Sequence, residues 1–387
     1  MKLSDVCEFI VDCPHSTAKD EGEGYPLIRT PNIGKGRLLL EGVHRVSENI
    51  YNKRNARAVP QDDDLIFARE APAGNVAIIK NGEKVCLGQR TVLLRPNKDL
   101  VNPDFLAYFL LAPEQQYGLL GTANGATVAH VNIPTIRELK ISLPSLEVQN
   151  RIAAIITAYD DLIENNQKQI KLLEEVAQRL YKEWFVDLRF PGHETTPITD
   201  GIPEGWNSRT LAEIADVIMG QSPKSEFYNQ DGKGLPFHQG VGSYGTRFVI
   251  DNTYSTSFTR IAEAGSILFS VRAPVGRLNM TKNKVVIGRG LAAINHRAGM
   301  QSYLFYLLKE RFFKDDIIGN GAIFASISKD ELLGQKFTVP SNDLVARFNA
   351  IVSDIDKKIA GLADQITLLT EARDRLLPKL MNGEIEV

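Results

Sequence analysis

The sequence predicts an α+β protein: two globular domains joined by a long antiparallel helical coiled-coil pair, pseudo-two-fold symmetric. Three observations carry that expectation. The chain reads the same way twice, with TANGATVAHV at 122–131 realigning on IGNGAIFASI at 318–327 and a constant offset of 196 residues kept down to Leu180 over Leu376. An offset of about half the chain means a duplicated module and not a short-period solenoid. The second half of each copy carries apolar residues at heptad spacing, Ile152, Tyr159, Leu173 and Leu180 in one and Phe348, Ile355, Leu362, Leu369 and Leu376 in the other. The first half of each copy instead alternates short β-rich runs with Gly and Pro.

Taken in order, residues 1–145 are expected to form the first globular domain. Its strand signals are LIFA at Leu65, NVAII at Asn75, TVLLRP at Thr91 and LKISLP at Leu139, and FLAYFLLA at Phe105 signals a helix. Residues 146–188 form the first long helix, 189–206 a connector rich in Pro, Gly and Thr without hydrophobic periodicity, 207–341 the second globular domain and 342–387 the second long helix. The second domain repeats the landmarks of the first: SILFSVRAPVG at Ser266 overlays DLIFAREAPAG at Asp64, VVIGRGLAAI at Val285 overlays VCLGQRTVLL at Val85, and QKFTVP at Gln335 overlays LKISLP. Gly74, Gly88, Gly276 and Gly288 recur at matched positions and mark turns or close approaches.

The long helices are expected over about 146–186 and 343–377. Roughly 35 helical residues span about 50 Å, more than one domain's radius, so each needs a partner, and its own duplicate is the obvious one. Ile155, Leu162 and Val176 are expected to add a second seam position to the first helix. Asn166 falls on the same seam, where a polar residue fixes alignment at some cost in stability; a surface Asn in a shifted register is the competing reading. Pro378 stands where the first copy has Lys182, and the second helix is expected to stop there.

Bulk composition narrows the function. The chain has 387 residues, 43% of them hydrophobic, enough for two or three cores. It lacks a basic leader with an apolar run and any apolar stretch near the roughly 18 residues a membrane span needs, so a cytoplasmic protein without membrane association is expected. Cys7, Cys13 and Cys86 lack the paired spacing of a zinc site and are expected to be free, unreactive thiols. The formal net charge is −2, but it is unevenly spread. Residues 264–309 contain no acid and seven Lys or Arg, and residues 25–59 contain seven against Glu41 and Glu48. Basic faces on two globular parts suit phosphate at two separated sites; solvated charged faces without a ligand are the alternative.

The stretch LLEEVAQRLYKEWFVDLRFPG at 172–192 followed by IPEGW at 202–206 resembles the central region of specificity subunits from type I restriction-modification systems. GQSP at Gly220, RAPVG at Arg272 and IGRGL at Ile287 resemble landmarks of that family's second target recognition domain, and CPHST at Cys13 an opening of its first. The resemblance covers essentially the whole chain. It implies two target recognition domains, each reading one half of a split sequence in double-stranded DNA, separated by helices that set the gap and dock two modification (methyltransferase) subunits, with restriction subunits joining that core.

No catalytic constellation accompanies this. A P-loop is missing, the six His are scattered singly, and the nearest match to an adenine methyltransferase motif, NPDF at Asn102, has the Pro and acid of a helix first turn. No cofactor, no metal and no catalytic residue are expected, and methylation and cleavage fall to partner subunits. What remains is recognition. Arg and Lys pair with guanine edges and Asn and Gln with adenine, from loops or strands that face the major groove. Polarity beside Gly/Pro turns selects His15, Ser16, Arg29, Asn32, Lys35, Arg37, Arg69, Gln89 and Arg90 in the first domain. In the second it selects Gln221, Ser222, Lys224, Gln239, Tyr244, Arg247, Arg272, Arg277 and Arg289. An assembly scaffold that binds helical partners and no DNA is the alternative.

Overall fold

A computed structural model describes residues 1–121, 130–312 and 326–387; most of the matched segments at 122–131 and 318–327 lie outside the described residues. The chain folds as two compact units, one of Met1–Asn166 with Asp364–Val387 and the other of Gln167–Ala363. Each unit therefore contains a globular part and one stretch of each long helix.

In unit 1 the strands Cys7–Asp12, Thr91–Pro96, Leu65–Ala68, Val76–Ile78 and Gly36–Arg37 form one sheet in that spatial order, antiparallel except for the last pairing. Arg45–Val46, Tyr25–Ile28 and Cys86–Leu87 form a second sheet. Leu65–Ala68 is buried at all four positions because both faces of its sheet are covered. Leu65 and Phe67 enter one core with Val92, Leu94 and the helix Pro103–Leu111, whereas Ile66 and Ala68 enter another with Leu93 and Val85. Asn102 caps that helix, its Oδ1 accepting from the Phe105 amide at 2.9 Å.

Unit 2 repeats the plan. Ala215–Met219, Leu291–His296, Ile267–Ser270 and Leu278–Met280 form an antiparallel sheet, and Ile267 and Phe269 face a different core from Leu268. The helix Gln301–Phe312 takes the place of Pro103–Leu111.

One expected strand is missing. LKISLP contributes a single bridge, Lys2 with Lys140, although its counterpart Lys336–Val339 pairs over four residues with Asn207–Thr210. Strand formation follows the partner more than the local pattern. The connector 189–206 is also anchored: Phe190 and Trp206 are buried in the core of unit 2, with ring centroids 5.4 Å apart.

The long helices run Leu146–Tyr181, continued by a π-helical turn Lys182–Val186, and Asn342–Met381. Within each unit their segments pair antiparallel. In unit 1 Asp160 meets Arg373 and Asn166 meets Gln365; in unit 2 Glu174 and Asp356 share Arg247, while Tyr181 and Trp184 pack on Phe348. Asn166 is buried and its Nδ2 donates to Gln365 Oε1 at 3.2 Å, which settles its place on the seam. Of the expected second seam position only Ile155 packs on the core of unit 1, half-buried; Leu162 and Val176 are exposed, and Ile156, Ile163, Ile170 and Ala177 are buried instead. Seam residues alternate steps of four and three, and the step from Ile152 is four. The second helix also does not stop at Pro378. Proline removes one backbone donor and crowds the preceding turn, but here only the last turn follows it, and Leu380 holds that turn in the core of unit 1.

Candidate nucleic-acid interface

The polar residues singled out in the sequence separate into two groups in each unit. In unit 1, four loops converge beyond the strand ends. The Cys13 amide donates to the Thr91 carbonyl at 3.2 Å, Gly88 to Ile28 at 2.7 Å, Arg69 to Arg90 at 2.9 Å, and Gln89 Nε2 to the His15 carbonyl at 3.1 Å. His15, Ser16, Arg29, Arg69, Gln89 and Arg90 are thereby gathered at one tip. Gly88 is required there, since a Cβ would lie 2.7 Å from the Ile28 carbonyl oxygen.

Unit 2 builds the same tip. Gln221 N donates to Ile287 O at 2.9 Å, Gly288 N to His238 O at 2.8 Å, Gly290 N to Gln239 O at 3.1 Å and Val271 N to Gly290 O at 2.9 Å. Ser222 Oγ donates to Gln239 Oε1 at 2.9 Å and accepts from the Arg289 amide at 3.2 Å. Gln221, Ser222, Gln239, Arg272 and Arg289 are thus neighbours, and the exposed Lys224 follows two residues on, 3.9 Å from Glu226. A Cβ on Gly288 would come within 3.0 Å of both Gln239 and Ser222.

The remaining residues are not at the tips. Asn32 is buried and builds a turn, its Oδ1 accepting from the Arg29 amide at 3.1 Å and its Nδ2 donating to the Leu39 carbonyl at 3.2 Å. Arg37 donates to Asp161 of the first long helix at 2.8 Å, and Lys35, though exposed, lines a cleft with Arg373. Arg247 is 3% exposed, bonded to Asp356 at 2.6 Å and stacked 3.5 Å from the Phe305 ring centroid. Tyr244 and Arg277 line a cleft of about 410 Å³ with Glu174 and Lys309. Burial pushes the Glu174 carboxyl above the usual range, against the pull of Arg247 and Lys309.

The two tips differ electrostatically. In unit 1 two carboxylates sit among the cations: Asp12 contacts His15 at 2.9 Å and Arg69 at 3.2 Å, and Glu70 contacts Arg90 at 2.9 Å and His130 at 2.5 Å. In unit 2, among the described residues, the exposed Arg260, Arg272 and Arg289 have no carboxylate within ion-pair distance.

Three contributors escaped the sequence reading. Arg54 is buried and props the first tip, donating to the carbonyls of Leu87 at 2.5 Å, Ser16 at 3.0 Å and Pro14 at 3.3 Å. Phe258 and Arg260 are exposed beside Thr259, whose hydroxyl donates to the Gln221 carbonyl. No glycine turn flags any of the three.

Among the described residues no group of three His, Cys, Asp or Glu could hold a metal, and no helix is long and apolar enough to cross a membrane. The three cysteines are free, and burial pushes Cys86 up to about 11 and Cys7 up to about 12.

The type I restriction modification DNA specificity domain model matches residues 1–175 and again 203–370. A putative type I restriction enzyme MjaX specificity subunit of Methanocaldococcus jannaschii is 30% identical over 100% of this chain and 93% of its own length. The MjaIX specificity subunit of the same organism is 28% identical, with the same coverage. The crystal structure of a type I restriction-modification S subunit from M. genitalium superposes with a TM-score of 0.57 at 18% identity, covering 98% of this chain and 95% of that one, so the fold is shared. With the domain present twice and a relative matched end to end, the chain belongs to the type I restriction-modification DNA specificity family.

Proposed function

We propose that this chain is the non-catalytic specificity subunit of a type I restriction-modification complex in the cytoplasm, and that each tip reads one half of a bipartite target in the major groove. Target recognition domains over 1–145 and 207–341 present the tips. The long helices set the spacer and dock two methyltransferase subunits, and restriction subunits complete the assembly. The observation that carries this reading is the recurrence of one four-loop cluster in both units, each rich in Arg, Gln and Ser, residue types that pair with base edges. Arg37, Asn32, Tyr244, Arg247 and Arg277 support the tips from behind, and the base contacts come from His15, Ser16, Arg29, Arg69, Gln89 and Arg90 in one unit and Gln221, Ser222, Lys224, Gln239, Arg272 and Arg289 in the other.

Co-expression with the cognate modification subunit, followed by mapping of methylated adenines, tests this directly. Two half-sites separated by a gap of fixed length are expected. Inserting about four residues, roughly one helical turn, into both long helices is expected to change the gap and leave both half-sites intact. Altered half-sites would overturn the division of labour.

A further inference from the structure

A duplicated fold should solve the same local problem the same way in each copy, and one buried carboxylate breaks that rule. Asp160 of the first long helix and Asp356 of the second stand at the constant offset of 196 residues, and each is largely buried beside its unit's globular part. In unit 1 the counter-cation comes from the other helix: Arg373 Nη1 donates to Asp160 Oδ1 at 2.5 Å, and the Tyr108 hydroxyl donates to the second oxygen. In unit 2 it comes from the globular domain, Arg247 Nη2 donating to Asp356 Oδ1 at 2.6 Å.

The matched positions are complementary. The residue matching Arg373 is Ala177, which is fully buried. The residue matching Arg247 is Gly36. Two registers agree on this: Gly34 N bonds Arg37 O at 3.0 Å as Gly245 N bonds Phe248 O at 3.1 Å, and the bridge Ile33 with Leu38 matches Tyr244 with Val249. Gly36 has a φ of +88° and no room for a Cβ, which would lie 2.8 Å from the Tyr108 ring. Charges nearby follow suit. Arg37 pairs with Asp161 at 2.8 Å, whereas the matching second-helix residue is Lys357 and the residue matching Arg37 is Phe248.

We propose that each globular domain is keyed to its own helical frame by which partner supplies this arginine, so that Arg373 and Arg247 are positioning residues and the two domains are not interchangeable. A first domain set on the frame of unit 2 would leave Asp356 and Glu174 without the guanidinium that Arg247 supplies and would press Arg37 on Lys357. A second domain set on the frame of unit 1 would bring Arg247 to an Asp160 already bonded by Arg373. A buried carboxylate left without its cation is strongly destabilising. The inference does not depend on what the tips bind.

The test moves the cation within unit 2 of the full-length chain. Arg247→Gly is expected to lower the thermal midpoint by at least about 5 °C. It also vacates the space over the Phe305 ring. Adding Ala177→Arg to that variant imports the arrangement of unit 1, and recovery of at least half the lost midpoint is expected, an effect that a bulk packing role for Arg247 would not produce. A double variant that melts no higher than Arg247→Gly overturns the proposal. If Arg247→Gly yields no folded protein, unit 1 decides: Arg373→Ala with Asp160→Asn is expected to melt above Arg373→Ala alone, and equal or lower melting overturns it.

Discussion

Replacing Arg260, Arg272 and Arg289 together by Ala separates the tip from the scaffold behind it. All three side chains are exposed and, among the described residues, have no carboxylate partner, so their loss is expected to change stability by less than about 0.5 kcal/mol per site. Each arginine that faces a phosphate contributes about 0.9 to the slope of log affinity against log salt, and each that reads a base edge contributes about 1–3 kcal/mol of discrimination. The triple variant should therefore bind the mapped target with a slope shallower by up to roughly 2 to 3, or with about 5- to 150-fold less preference for the second half-site for each base edge that goes unread. Arg247→Ala is the control, because that residue is 3% exposed and faces Asp356 and Phe305. It is expected to lower the melting point while leaving the slope near that of the unaltered chain. Fluorescence anisotropy of the assembled complex over a salt series, with thermal unfolding of the same samples, gives both numbers. If the triple variant keeps its slope and its specificity, or if the slope falls only with Arg247→Ala, the tips are not the reading surface.

Three further outcomes follow from the same geometry. Phe348→Ala removes a fully buried ring that Tyr181, Trp184, Phe185, Tyr303 and Tyr306 surround, and a loss of about 3–5 kcal/mol is expected in urea unfolding. Gly288→Ala puts a methyl within 3.0 Å of Gln239 and Ser222, so methylation at one half-site should fall while recognition of the other half-site persists. Glu174 titrates above the ordinary carboxyl value when folded, so the folded state binds its proton more tightly than the unfolded state does. Stability rises as pH falls from neutral through that raised value and levels off below the unfolded value, and the midpoint of the unaltered chain relative to Glu174→Gln should climb between pH 7 and pH 5.

The frame was legible because heptad spacing and duplication are local, repeated signals: Phe348, Leu362, Ile152 and Asn166 lie where the pattern put them. Errors arose where a partner decides the outcome. LKISLP has the residues of a strand but only Lys2 to pair with, and Pro378 interrupts a pattern that Leu380 then anchors. The tips were partly legible because Gly88 and Gly288 mark close approaches beside them. Their separation from the supporting group was not. An arginine is the same letter whether it faces solvent, as Arg289 does, or lies under the surface against an acid more than a hundred positions away, as Arg247 does with Asp356.

If both tips bind DNA as proposed, the difference in charge between them predicts unequal shares of the salt dependence. In unit 1, Arg90 is held 2.9 Å from Glu70 and Arg69 lies between Asp12 and His130, so these guanidiniums come with their own counter-anions and are expected to displace few ions from DNA. Such pairs also fix the side chains in place, which favours a defined contact over a diffuse one. In unit 2 the exposed Arg260, Arg272 and Arg289 have no such partner among the described residues, and they are expected to meet phosphates with their full charge. Arg90→Ala is therefore expected to reduce the salt slope by well under the roughly 0.9 of a phosphate contact, while relaxing the sequence accepted at the first half-site. Arg289→Ala, measured beside it on the same DNA, is expected to show the larger slope change. Equal slope changes in the two variants would mean that the Glu70 pair opens on binding and that both tips engage the backbone alike.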